Sequence, residues 1–323
     1  MPEALAAQAP PLARYAASHQ AMGTVFSIVA YGEDEALCAD AGQKAFREID
    51  RLDDTMSHYK PDSELSVINR TANDRPVSVS AELFGILKQA LQYCRASDGA
   101  FDITVGPLMK LWGFFYGNGR VPSAAELAAV RERIGYEHVS LDSENLTIRF
   151  DAPGLELDLG AIGKGYAVDR ASRLLADAGI TRALLSSGTS SIFALGSPPN
   201  AHAWRVGLSD PLDRSRIVKW LELRDASISV SGVREQFFEH DGRMYSHLLN
   251  PRTGAPREGS LMVGVVACSA IQSDWLSTAF FVEGIPWARS YLECHSDLIA
   301  TFYIPSMSGR FAAIELKSRK QSG

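Results

Sequence analysis

The chain holds only four cysteines in 323 residues, Cys38, Cys94, Cys268 and Cys294, and none forms a C-x-x-C pair. That spacing excludes a thioredoxin-like redox motif and argues against a zinc site. All four are expected as small buried apolar side chains. No apolar run approaches the roughly 18 residues of a membrane span. Excess positive charge is also missing. The formal net charge is -6, whereas general nucleic-acid binders show a basic face. The start, MPEALAAQAPPLARYAA, lacks the basic opening and full apolar stretch of a signal peptide, although ALAAQA resembles its cleavage site. As given, the chain is expected in the cytoplasm; a truncated start would place it in the periplasm or at a membrane.

Common catalytic and phosphate motifs are absent too. No G-x-S-x-G elbow occurs. The stretch LDLGAIGKGYAVD (157–169) fails the Walker A pattern, because Asp158 stands where the first Gly belongs and Gly165 follows Lys164. It fails the dinucleotide fingerprint, because the third Gly falls on Val168.

What is present is an ordinary globular composition, 46% hydrophobic and 22% charged, with a substantial core. Residues 1–18, rich in Ala and Pro, are expected as a flexible tail, and 19–323 as the folded unit. MGTVFSIVAYG (22–32) reads as a strand. Helical periodicity marks 34–57, 80–97, 123–135 and 165–179. The aromatic segment 99–119, punctuated by Gly and Pro, reads as irregular. TRALLSSGTSSIFALG reads as strand, small-residue turn and strand. LMVGVVACSA is a buried strand leading to a helix that starts near Ser273, and the chain closes on a hairpin. The mixed order predicts an α/β or α+β fold and is compatible with an internal duplication.

Three segments carry candidate chemistry. Asp274 and Thr278 lie four residues apart on one helix face and could hold Mg²⁺ through oxygen ligands; alternatively, Asp274 is a helix N-terminal charge and Thr278 packs. In YSHLLNPRTG (245–254), His247 precedes an Asn-Pro turn and is either a general base or a structural His. In 157–169 the glycines allow close backbone approach, Gly165 precedes a helix whose amides attract anions, and Lys164 supplies a point charge.

Taken in order, AMGTVFSI, MSHYKPDSELSVIN, FDITVGPLMKLWGF, LDLGAIGKGYAVD, WRVGLSDP, YSHLLNPRTGAP and SDWLSTAFFVEG resemble the FAD:protein FMN transferase (ApbE) family from about residue 20 to the end. The resemblance implies an α/β fold with FAD in a central cleft. It implies Mg²⁺-dependent transfer of FMN from FAD to a Thr or Ser hydroxyl of a target flavoprotein, with release of AMP. Asp274, Thr278 and the Ala161 carbonyl would bind the metal, and Lys164 would sit by the phosphates. His247 would activate the hydroxyl. Met22, Tyr59, Asp158 and Glu235 would lie along the FAD pocket, with Tyr59 stacked on the flavin. The implied partner is a flavoprotein with a Thr or Ser just ahead of Gly-Ala-Thr, such as a membrane redox subunit. The chain departs from the family at Thr189 and Ser190 (usually Gly-Asp), Val233-Arg234 (usually Asp-Tyr) and Asn250 (usually Asp). These changes keep two other readings open, an FAD pyrophosphatase and a flavin-binding homologue with reduced or lost turnover.

Overall fold

The computed structural model describes residues 12–115, 117–307 and 309–318. Its centre is an eight-stranded sheet: β1 (Ala13–Ala21), β2 (Thr24–Gly32), β3 (Arg182–Ser187), β4 (Ser191–Leu195), β5 (Ala226–Gly232), β6 (Met262–Ala267), β7 (Ile299–Pro305) and β8 (Phe311–Lys317). The spatial order follows the chain order, and every neighbouring pair is antiparallel. The fold is therefore mixed, with helices inserted between strands of a meander rather than crossing between parallel ones.

The expected tail fails over 13–18. Those residues form most of β1, which pairs along its length with β2. The strand turns through Met22 and Gly23, both with positive φ (49° and 69°), the geometry of a two-residue hairpin loop. Residues 1–11 lie outside the described residues.

The helices α1 (Glu35–Met56), α2 (Glu64–Thr71), α3 (Ala81–Ala96), α4 (Gly106–Leu111), α5 (Ala124–Arg131) and α6 (Gly163–Asp177) lie between β2 and β3; α7 (Ala270–Glu283) and α8 (Ile285–Cys294) lie between β6 and β7. Their starts follow from capping residues. Asp34 caps α1, Ser80 caps α3, and Ser123 with Glu126 forms a capping box on α5. The helix expected to reach Gly135 stops at Arg131. Gly135, at φ 137°, instead opens a short 3₁₀ turn, Tyr136–His138. The segment 99–119 contains α4, and α8 was not expected at all.

Strand alternation gives the sheet two apolar faces. Ile28, Ala183, Leu185, Val263 and Val265 pack with α1, α6 and α7 in the main core. Ala194 and Ile228 belong to a second core, under the strand pair Trp204–Ser209 and Ile217–Leu223. On α7, Trp275, Phe280 and Phe281 are fully buried, each contributing about 1.5–3 kcal/mol. A third, smaller core joins Leu108, Trp112 and Phe114 to Phe238, Tyr245 and Leu249. Cys38 and Cys94 are buried as expected, but Cys268 and Cys294 are exposed.

Candidate active site

A cavity of about 600 Å³ opens between the main body and the small third core. Its floor is the corner where α6 meets α7. A Cβ on Gly165 would lie 2.4 Å from the Ala270 carbonyl oxygen and 2.8 Å from Asp274 Cβ, so only glycine fits this approach. The Gly165 N–H donates to Asp274 Oδ2 at 2.9 Å. One turn further along α6, Asp169 accepts from the Ala270 and Ile271 N–H groups at 2.7 and 2.9 Å, capping α7. The stretch GKGYAVD therefore joins two helices. Its helix begins at Gly163, two residues before the position expected, and the anion that meets the Gly165 amide is the protein's own carboxylate. Because that amide turns to Asp274, the Ala161 carbonyl four residues back does not receive the usual helical bond from it.

Asp274 is 4% exposed. Burial pushes its pKa up to about 6, opposed by the charge of Lys164, the Gly165 amide and the Ser191 hydroxyl. It sits on the second turn of a helix that starts at Ala270, earlier than expected, with Ser269 as its N-cap. Thr278, one turn on, has its hydroxyl 3.2 Å from Ser231 Oγ.

Asp158 forms the next part of the wall. Its N–H donates to the Ile103 carbonyl at 2.7 Å, and the Asn69 side chain pairs with both backbone groups of Leu157 at 2.8 and 2.9 Å. Three of the separate sequence segments thus converge here. The Asp158 carboxylate accepts from the Gly160 N–H at 2.8 Å and lies 3.4 Å from His58 Nδ1. Burial works to raise its pKa, but the His58 contact, the Gly160 amide and the charge of Lys164 together outweigh it and the net shift is downward. Lys164 Nζ donates to the Gly160 carbonyl at 2.9 Å. The His58 ring stacks on Phe115 with centroids 4.0 Å apart and lies 3.8 Å from Tyr59, which is 60% exposed at the rim.

The opposite chemistry sits on a hairpin, Phe237–His240 paired with Arg243–Ser246, flanked by Glu235 and His247. His247 Nδ1 lies 3.1 Å from the Gln236 carbonyl, which can only accept, so Nδ1 carries the proton and Nε2 keeps its lone pair. Burial first, then Lys164, pushes the His247 pKa down to about 4. Glu235 opens onto the cleft, yet the enclosing walls raise its pKa to about 7, with Lys164 pulling it down. The charge of Lys164 is thus felt by Asp158, Glu235, His247 and Asp274 alike.

Every residue expected from the sequence, namely Met22, Tyr59, Asp158, Ala161, Lys164, Glu235, His247, Asp274 and Thr278, lines this one cavity. Met22 does so from a left-handed conformation uncommon for a side chain of its kind. Sequence reasoning missed His58, Ser187 and Arg214, which also line it. His58 lay in a quoted segment, but nothing about a His next to a Tyr distinguishes it by pattern. The buried Ser187 Oγ and His58 Nε2 have no protein hydrogen-bond partner. Among the described residues, no group of three or more His, Cys, Asp and Glu could hold a metal ion.

The sequence pattern of the ApbE family matches residues 22–302. The chain belongs to the ApbE family. It is 34% identical over 276 residues to an FAD:protein FMN transferase of Salmonella typhimurium, covering 83% of this chain and 78% of that one. It is 31% identical to one of Klebsiella pneumoniae, covering 89% and 88%. Among solved structures, the ApbE protein of Thermotoga maritima superposes with a TM-score of 0.85 at 29% identity, covering 95% of this chain and all of that one. The flavin transferase ApbE of Vibrio cholerae gives 0.82 at 29% identity, covering 95% and 98%.

The departures from the ApbE pattern can now be placed. Thr189 and Ser190 line the cleft, and neither is among the described residues with positive φ. The glycine that needs room is Gly188, at φ 57°, where a Cβ would meet Thr24 Oγ1 at 2.5 Å. Asn250 lies outside the cavity lining and makes a turn: its Oδ1 accepts from the Arg252 N–H at 3.0 Å, and its carbonyl accepts from the Gly254 N–H at 2.8 Å. Val233 is buried.

Proposed function

We propose that this chain is an FAD:protein FMN transferase that moves FMN onto a Thr or Ser hydroxyl of an acceptor flavoprotein. The supporting observation is the convergence, in one cleft, of a neutral His247 with a free Nε2, the Lys164 ammonium and the buried Asp274 carboxylate. A hydroxyl oxygen of the acceptor attacks the FMN-side phosphorus of FAD. Its proton passes to His247 Nε2, the bond to the AMP phosphate breaks, and AMP leaves. Lys164 offsets the pyrophosphate charge. Tyr59 and the His58–Phe115 stack offer aromatic faces to the flavin.

The donor set suits Mg²⁺, which takes one or two protein oxygens and completes its shell with phosphate and water. Asp274 is a buried carboxylate with a raised pKa, and the Ala161 carbonyl lacks its helical bond from Gly165. With the Thr278 hydroxyl these would hold the ion. Its contribution when bound is neutralisation of charge on the pyrophosphate and on the departing AMP. The acceptor of this reading carries its Thr or Ser ahead of Gly-Ala-Thr, as a membrane redox subunit would. No helix among the described residues is long and apolar enough to cross a membrane.

The test is intact mass spectrometry of such an acceptor incubated with the protein, FAD and Mg²⁺, with AMP followed in parallel. A gain of one FMN residue that disappears in Asp274→Ala supports the transferase. AMP release without mass gain on any motif-bearing acceptor would replace it with FAD hydrolysis. Bound FAD with neither product would leave a flavin-binding protein.

A further inference from the structure

Strand β5 presents Ser227, Ser229 and Ser231 toward α7, all buried. Their cross-strand partners on β6 are Ala267, Val265 and Val263, which fill the same layer with apolar side chains. Packing alone therefore does not call for hydroxyls on β5. The serines are instead linked. The Ser191 hydroxyl favours the charged form of the Asp274 carboxylate, and Ser229 donates to Ser191 at 3.0 Å. Ser229 lies 2.7 Å from Ser273, which Ser227 reaches at 2.9 Å. A separate group on the same strand places Ser231 2.8 Å from Ser277 and 3.2 Å from Thr278. The Ser229 proton is committed to Ser191, which leaves the Ser191 proton for the Asp274 carboxylate, a group that only accepts. Chains of hydroxyls oriented in this way polarise one another. Apart from Ser231, these serines stand behind the cleft lining.

We propose that the Ser191–Ser229–Ser273 chain fixes the orientation of the Asp274 carboxylate, as Ser231 fixes the Thr278 hydroxyl, and thereby sets the affinity of the cleft for a divalent cation. Ser229 and Ser273 are positioning residues that touch neither substrate nor metal. The inference rests on the metal reading given above, so its test carries a control for that reading. Mg²⁺ binding to the full chain with FAD present and no acceptor is measured by calorimetry. FAD affinity in metal-free buffer and the urea midpoint are measured alongside.

Ser229→Ala and Ser273→Ala are expected to weaken Mg²⁺ binding about tenfold or more, as loss of supporting hydrogen bonds does elsewhere. Metal-free FAD affinity is expected to stay within about twofold, since neither serine lines the cleft. If the single variants do not fold, the pair Ser229→Ala with Ser273→Ala removes both ends of one bond and is expected to fold with the same loss of Mg²⁺ affinity. Wild-type Mg²⁺ affinity in the serine variants, with binding lost in Asp274→Asn, overturns this inference alone. Unchanged binding in Asp274→Asn overturns the metal reading and the inference with it. Failure of all the serine variants to fold would make the chain a folding element and overturn the inference.

Discussion

The α6–α7 corner and the hairpin carrying Glu235 and His247 face the same cleft but are held in different ways. At the corner, both helices are regular, Gly165 lets them touch, and Asp169 closes the start of α7 with two hydrogen bonds. The carboxylate that matters there is nearly dry. The hairpin, by contrast, exposes Phe237, Glu239 and Met244 and rests on the smallest of the three cores. It is tied down by Gln236 Nε2 donating to the Phe114 carbonyl at 2.6 Å and by Phe238 and Tyr245 packing on Trp112, whose indole donates to the Gly254 carbonyl of the following turn at 2.7 Å. The difference suits the two partners of the reaction. A pyrophosphate is small and always the same, so a rigid corner can be built for it. A protein hydroxyl arrives on a larger surface, and a wall with fewer anchors can adapt to it.

If the corner is rigid, disturbing it should be far worse than disturbing the wall. Gly165→Ala pushes a methyl group into the Ala270 carbonyl and Asp274 Cβ. It should destabilise the protein by about 1–3 kcal/mol in a urea melt. It should also remove nearly all FMN transfer, because Asp274 must move. A variant with normal turnover would show that the corner yields.

His247→Ala should lower kcat by about 10²- to 10⁴-fold, the usual share of a general base, while FAD still binds. The acidic limb of kcat/KM identifies the same group. Its pKa is depressed to about 4, so the base form persists as pH falls and the contribution of this group is lost only as pH drops through that value. An unperturbed imidazole would already fail near pH 6.5. A second inflection near 7 belongs to Glu235, whose pKa is raised to about 7, and should vanish in Glu235→Gln. An acidic limb near 6.5 that persists in Glu235→Gln at saturating Mg²⁺ would remove His247 from the role.

Trp112→Phe sharpens the comparison at lower amplitude. It leaves the buried Gly254 carbonyl without its indole donor, at about 1–3 kcal/mol of stability. It should raise the KM for the acceptor several-fold without changing metal-free FAD affinity. Equal losses in both would mean that the wall and the corner move as one.

Much of this was legible in the sequence, for identifiable reasons. Helices announce themselves by capping residues and periodicity, as at Ser80 and Ser123. The cleft residues were reachable because each lies in a short segment whose order along the chain is informative. Strand β1 was hidden because ARYAASHQA alternates between half-buried and exposed positions and offers few large apolar residues. Helix α8 begins directly after Gly284, which closes α7, so the stop signal of one helix hides the start of the next. The serines of LLSSGTSS, Ser191 among them, read as turn residues, and those of SISVSG carry no signal of their own. Only the opposing face of α7 shows that they bond one another, and no pattern along a single segment contains that fact.

The smallest expected effect concerns Asn250. A family-typical Asp at this position suggests a catalytic charge, and its loss suggests a weakened enzyme. The geometry argues otherwise. Asn250 lies outside the cavity lining, and its Oδ1 accepts the Arg252 N–H just as a carboxylate oxygen would. The turn it closes places Gly254 under Trp112, and that placement depends on the Asn250 backbone carbonyl, which any residue supplies. Asn250→Asp should therefore leave kcat/KM within about threefold and stability within about 0.5 kcal/mol, as for a surface change away from special features. A gain of tenfold or more in FMN transfer would show that a charge here reaches the cleft. It would also make the wall, rather than the corner, the limiting part of this enzyme.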